Sequence, residues 1–156
     1  MSAKEFFSMN EDRFLIVAKA INESIIRNRE IEQGGSDCPI LVEGIKDVKC
    51  LRELGFSGRI ETINRGWDKS RMIAYLYEEF GSDLAVDGLP KIILLMDWDR
   101  TGDNIQKSLT ERLGSMDMRI DDSLRSILSK QLKSECRTVE SISVYAGFIQ
   151  QVISEL

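Results

Sequence analysis

One segment constrains this chain more than any other: Lys91-Ile-Ile-Leu-Leu-Met96, which runs directly into Asp97-Trp-Asp-Arg-Thr-Gly102. Five consecutive apolar residues suit a strand covered on both faces, the arrangement found inside a parallel sheet. Helices above and below such a strand make an α/β layer structure. The run ends on two carboxylates spaced two apart. A solvated loop accounts for one aspartate. Two of them, placed where a buried strand surfaces, point to a site for something positive. If the backbone stays extended there, the two-residue period sends Asp97 and Asp99 to one side and Trp98 to the other.

The rest of the chain alternates to match. Residues 10–32 read as a helix, with Asn10 as cap, Glu11 and Asp12 in the first turn, and Phe14, Val17, Ile21 and Ile25 as its apolar stripe. Residues 33–39, Gln-Gly-Gly-Ser-Asp-Cys-Pro, form a connector inside one domain. A short strand ends at Glu43-Gly44. A helix marked by Val48, Leu51 and Leu54 follows, closed by Gly55. Residues 59–64 read as a second strand and 65–70 as a loop. Ile73, Leu76, Tyr77 and Phe80 mark the next helix, ended by Gly81. After the strand at 91–96, Ile105, Leu109 and Leu113 mark another helix, ended by Gly114. A fourth strand lies within 116–121, a helix spans 122–132, and a final helix covers about 138–156 with Ile142, Tyr145, Ile149 and Val152 inward. No repeat or low-complexity tract interrupts this order. It predicts parallel strands joined by right-handed crossovers, with the ligand site beyond their carboxyl ends. Glu43 stands at one such end, and Asp97 and Asp99 at another.

Composition narrows the chemistry. The 156 residues fit one domain with room for a core, and 42% hydrophobic with 30% charged residues is a globular balance. The chain has no histidine, and its three cysteines, Cys38, Cys50 and Cys136, form no Cys-x-x-Cys pair. Ser-His and Cys-His nucleophiles are therefore excluded, and a zinc site would lack its usual ligands. The thiols read as reduced and structural. Chemistry falls to carboxylates, Lys, Arg, Tyr or a metal. A net charge of −5 argues against coating nucleic acid by charge alone. Divalent ions at a carboxylate cluster would invert that field locally. No apolar run reaches membrane-span length and the first residues lack a signal-peptide plan, so a cytoplasmic protein without a membrane partner is the expectation. Three carboxylates converging on one sheet edge repel unless a cation neutralises them, and oxygen-only ligands suit Mg²⁺ or Mn²⁺.

Leu41-Val-Glu-Gly-Ile-Lys-Asp47, followed about fifty residues later by Leu94-Leu-Met-Asp-Trp-Asp-Arg-Thr-Gly102, resembles the Toprim domain. That domain is shared by bacterial-type primases, topoisomerases, overcoming-lysogenization-defect nucleases and ribosomal-RNA maturation ribonucleases. The match covers roughly residues 38–120. The segments Asp-Trp-Asp-Arg-Thr-Gly-Asp-Asn-Ile, Asp-Asp-Ser-Leu-Arg and Thr-Val-Glu-Ser are also similar to short archaeal proteins built of a Toprim domain with a few extra helices. The resemblance implies an α/β, Rossmann-like three-layer sandwich with a central, mainly parallel four-stranded sheet. Extra helices at 10–32 and about 122–156 complete a single domain over 1–156. It implies Glu43 as catalytic acid or base and, with Asp97 and Asp99, the ligand set for Mg²⁺ or Mn²⁺. Gly44 and Gly102 would let the backbone turn tightly beside the site. Asp47 and Asp103 match positions often acidic in the family, where they support the metal or cap helices. Lys46, Arg65, Lys69 and Arg100 fall in or beside the rim loops and are candidate phosphate contacts. Trp98 is expected in the core; Trp67 is assigned neither to the core nor to base stacking.

The family's members differ in reaction, so the fold alone does not select one. Tyr75, Tyr77 and Tyr145 sit in predicted helices, which disfavours a topoisomerase nucleophile, and the cysteines would not build the zinc module of such primases. A Mg²⁺-dependent nuclease of the RNA-processing type is the leading expectation, with RNA or DNA as partner. A non-catalytic nucleic-acid- or nucleotide-binding subunit, its site vestigial or completed by a protein partner, is the alternative.

Overall fold

The computed structural model describes residues 11–156. Four parallel strands form one sheet: β1 (Ile40–Val42), β2 (Ile60–Thr62), β3 (Ile92–Leu94) and β4 (Ile120–Asp121), in the order β2-β1-β3-β4. The apolar run at 91–96 thus supplies an interior strand, as its composition predicts. Ile40 pairs with Ile60 on one side and Ile93 on the other, and Ile92 pairs with Ile120. Among the described residues, six α-helices cover the sheet: α1 (Glu11–Asn28), α2 (Ile45–Leu54), α3 (Lys69–Phe80), α4 (Arg100–Gly114), α5 (Ser123–Leu132) and α6 (Ala146–Ser154).

Two buried clusters lie on opposite faces, as alternation along β1 and β3 demands. Ile40, Val42, Ile93 and Leu95 pack with α1, α2, α5 and α6, whereas Leu41, Ile92, Leu94 and Met96 pack with α3 and α4. The result is a helix–sheet–helix sandwich. Helix α1 is tied to the rest of the sandwich by charge: Arg27 donates to Asp121 of β4 at 2.6 Å and to Asp87 at 2.6 Å, and Arg13 pairs with Glu135, after α5, at 2.8 Å.

Several boundaries differ from the sequence reading. The proposed cap Asn10 lies outside the described residues. Helix α1 ends at Asn28 because that side chain is buried and turned onto neighbouring backbone, donating to the carbonyls of Cys38 and Arg59 and accepting from Gly58 N–H. Residues 31–33 form a separate single turn. The fourth strand shrinks to two residues. In α3 the inward positions are Met72, Ile73 and Leu76, while Tyr77 is exposed, one turn position away from that stripe. The final helix is two pieces, a 3₁₀ segment over Glu140–Tyr145 and then α6, although Ile142 and Ile149 face the core as their spacing suggests. Helix α2 stops where expected, at Gly55, whose φ of 115° lies in the left-handed region. Among the described residues, no helix is long and apolar enough to cross a membrane.

Candidate active site at the carboxyl edge

The carboxyl ends of β1 and β3 lie side by side because the two strands pair, so Glu43 and Asp97 meet although far apart in sequence. Leu95 N–H continues the ladder onto Leu41 O, and the next polar step is made by a side chain: Asp97 N–H donates to Glu43 Oε2 at 2.8 Å. Asp97 Oδ1 also accepts from Val139 N–H at 2.8 Å. Burial first, then the charges of Glu43 and Asp99, push the Asp97 carboxyl up to about 6, against the pull of the Val139 N–H.

Asp99 takes a different part. Trp98 and Asp99 lie in a bend, and Asp99 is the N-cap of α4, its Oδ1 accepting from Gly102 N–H at 2.7 Å. Strand alternation has already ended there. Trp98 is buried, as its sequence context predicts, but it joins the cluster of Ile93 and Leu95 rather than that of Met96. Its indole N–H donates to Cys136 O at 2.7 Å and its backbone N–H to Arg137 O at 2.9 Å. The expectation of three converging carboxylates is therefore corrected. Glu43 and Asp97 form a pair, Asp99 acts on Asp97 through its charge, and among the described residues no three acidic or cysteine side chains are gathered as a metal ligand set. Each of the three commits one oxygen to a backbone N–H. The set remains all-oxygen, and a Mg²⁺ ion needs only one or two protein carboxylates alongside waters and phosphate oxygens. The pair fits such an ion.

The supporting residues divide. Gly102 is required by close approach: a Cβ there would overlap the backbone carbonyl of Asp97. Gly44 is not a tight turn; its φ is −150°, extended backbone open to any residue, and it serves as the N-cap of α2. Asp47 completes that cap, accepting from Gly44 N–H at 3.0 Å. Burial raises its carboxyl, with Asp97 and Glu140 adding to the effect against the Gly44 N–H. Asp103 is paired with Arg125 at 2.6 Å. Arg125 was not singled out by sequence, yet it donates to Met96 O at 2.9 Å and Asp97 O at 2.7 Å, holding the end of β3 in place. Of the candidate phosphate contacts, Arg65 is already engaged by Glu61 and by Thr62 O. Lys69 donates to Ser108 Oγ at 2.9 Å. Lys46 and Arg100 are exposed in the first turns of α2 and α4. A surface cavity of about 690 Å³ lies away from these residues, beside Asn28, Gly58 and Lys91 ahead of β2 and β3.

All three cysteines are free thiols. Burial raises Cys38 and Cys136 to about 11 and Cys50 to about 12, which keeps them protonated and unreactive at neutral pH.

The close approach at Gly102 gives a direct prediction. Gly102→Ala forces α4 away from the Asp97 carbonyl and should cost about 1–3 kcal/mol. A melting temperature equal to that of the unaltered protein would show that the helix does not press on the strand end.

Fold and site together define an α/β chain with four parallel strands and a carboxylate pair at their carboxyl edge. No family model matches it. A UPF0292 protein of Methanosarcina barkeri is 30% identical over 118 residues, 74% of each chain. Another from Thermococcus sibiricus is 30% identical over 103 residues, 66% of this chain and 73% of the relative. A third, from Methanosarcina acetivorans, is 28% identical over 127 residues, 81% of this chain and 80% of the relative. The chain belongs to the UPF0292 family. A solved structure of a protein from Aquifex aeolicus shares the fold, with a TM-score of 0.53 and 22% identity over 85% of this chain and 97% of that one.

Proposed function

We propose that the chain is a Toprim-type, Mg²⁺- or Mn²⁺-dependent phosphoryl-transfer enzyme acting on nucleic acid, of the small RNA-processing nuclease kind. The observation that supports it best is the Glu43–Asp97 pair, joined by the Asp97 N–H bond at 2.8 Å and placed at the ends of two adjacent parallel strands. Asp97 of this pair would hold the ion, with Asp99 adding negative charge from the N-cap of α4, and the ion when bound would polarise a phosphoryl oxygen. Glu43 moves a proton at the attacking or leaving oxygen, and the Asp97 N–H fixes its carboxylate for that task. Val139 N–H and the Gly102 N–H orient the two aspartates. Arg125 keeps the Asp97 backbone from drifting.

The test is cleavage of RNA and DNA substrates by the purified chain. Activity should require Mg²⁺ or Mn²⁺ and fall about a hundredfold or more in Glu43→Gln, the range of general acid–base catalysis. Equal cleavage by the variant, or cleavage that persists in a chelator, would remove this reading. Binding without any cleavage would favour the accessory-subunit alternative.

A further inference from the structure

The loop after β2 and the start of α3 carry an arrangement that the carboxylate site does not use. The loop is stitched to the site: Ile63 N–H donates to Val42 O and Asn64 N–H to Glu43 O, each at 3.0 Å. Three residues further on, Trp67 packs edge-on against Tyr75 with ring centroids 5.3 Å apart. Three arginines surround this aromatic pair, and their charges are not equivalent. Arg59 is neutralised by Glu61 and Glu79, and Arg65 by Glu61. Arg71 lies 4.3 Å over the Trp67 ring, is exposed, and among the described residues makes no ion pair. Its partner in the first turn, Lys69, meets only the neutral Ser108 hydroxyl. Cations in a first turn sit at the unfavourable, positive end of the helix dipole, so neither is there to stabilise α3. Stacking on an indole leaves the guanidinium edge of Arg71 pre-oriented and open, as a phosphate ligand requires.

We propose that Trp67, Lys69 and Arg71 form a subsite for the sugar–phosphate backbone of a nucleic-acid strand whose reacting phosphate lies at Glu43 and Asp97. This rests on the nucleic-acid reading above and adds to it where the strand runs: from the β1–β3 end, across the β2 loop, toward α3. Trp67 acts as the platform that sets the Arg71 plane, and Lys69 supplies a second charge beside α4. Lys69 and Arg71 outweigh Asp68, whose carboxylate caps α3 by accepting the Arg71 N–H at 2.8 Å, and so give a chain of net charge −5 a local foothold for a polyanion.

Binding of labelled single-stranded and hairpin RNA oligonucleotides is measured by fluorescence anisotropy across a salt series, with chelator present so that no cleavage occurs. Arg71→Ala should weaken binding about tenfold and reduce the slope of log K against log salt by about one. Trp67→Leu should weaken binding without changing net charge, and Arg71→Lys should recover part of the loss. Arg119→Ala, which removes an exposed charge ahead of β4, is the control for net charge. Equal losses for Arg71→Ala and Arg119→Ala, an unchanged salt slope, or no binding of either RNA by the unaltered chain overturns the proposal. Metal-dependent cleavage that survives Arg71→Ala with unchanged binding would sink the subsite and leave the proposed function standing.

Discussion

Asp97→Asn is expected to abolish metal-dependent cleavage, by about a thousandfold, while making the metal-free protein more stable. Loss of activity follows from removing a ligand charge at the point where a cation would stabilise developing negative charge, a contribution of several kcal/mol. The gain in stability follows from the same geometry. The Asp97 carboxyl is raised from 3.8 to about 6, chiefly by burial and then by Glu43 and Asp99. A carboxyl with a raised folded value favours its proton in the native state. Below pH about 4 the group is protonated folded or unfolded and costs nothing; the penalty grows between pH 4 and 6 and is complete above 6. Asparagine keeps the shape and the acceptor for Val139 N–H but carries no charge. At pH 7.5 it should therefore gain about 1–2 kcal/mol, less than the full shift because the charge is shared with Glu43. That corresponds to a melting temperature higher by about 3–6 °C for a chain of this size. At pH 4 the difference should vanish. Millimolar Mg²⁺ should raise the midpoint of the unaltered protein by mass action and leave the variant nearly unmoved. If the variant only destabilises at pH 7.5, and neither Mg²⁺ nor Mn²⁺ moves the unaltered midpoint, the acidic pair is not a cation site and the aspartates act as caps.

Glu61→Ala should produce the largest fall in stability, about 2–4 kcal/mol. Glu61 sits on the edge strand β2, 7% exposed, and accepts from Arg59 at 2.7 Å, from Tyr75 at 2.9 Å and from Arg65. Burial alone would raise its carboxyl. The Tyr75, Arg65 and Arg59 hydrogen bonds outweigh that and hold it below the ordinary range. Truncation leaves Arg65, whose side chain is 24% exposed, without its counter-charge, and breaking a partly buried pair is costly because one charge stays behind. Half-exposed Arg59 can turn to water, which keeps the loss below that of a fully buried triad. The stabilisation is present above the unfolded carboxylate range and is lost as pH falls through the lowered folded value, so the gap to the variant should narrow in acid. Denaturant unfolding at pH 7 and pH 3 measures both. An Ala variant that unfolds at the same denaturant concentration at pH 7 would mean that the cluster is merely solvated charge.

What could be read from sequence followed local rules, and what could not involved long loops. The interior strand was legible because five apolar residues in a row fit only a doubly covered position. Its pairing with the strand before Glu43 brought two of the three carboxylates together as expected. The third went elsewhere because one bend at Trp98 and Asp99 turns a ligand position into a helix cap. Nothing within 91–104 signals that bend except Gly102, whose role is a close approach visible only when α4 lies against Asp97. Arg125 and Val139 act on the site from 28 and 42 residues downstream, too far for any periodicity to register. The break between the 3₁₀ segment and α6 has no proline to announce it. Arg71 gives no signal in the sequence, because a lone arginine in a helix reads as solvated until an indole is found beneath it.

The bonds from residues 136–139 back to Trp98 and Asp97 bear on the order in which the protein becomes competent. All four strands and both faces' first helices precede residue 133, so the sheet can pair before the last part of the chain leaves the ribosome. At that stage Asp97 has no Val139 N–H, and the Trp98 indole and backbone N–H have no acceptors in 136–137. The acidic pair is held only from one side. The finished geometry of this edge thus waits for the closing segment, and a nascent or truncated chain ending near Leu132 would carry Glu43, Asp97 and Asp99 without the bonds that complete their setting.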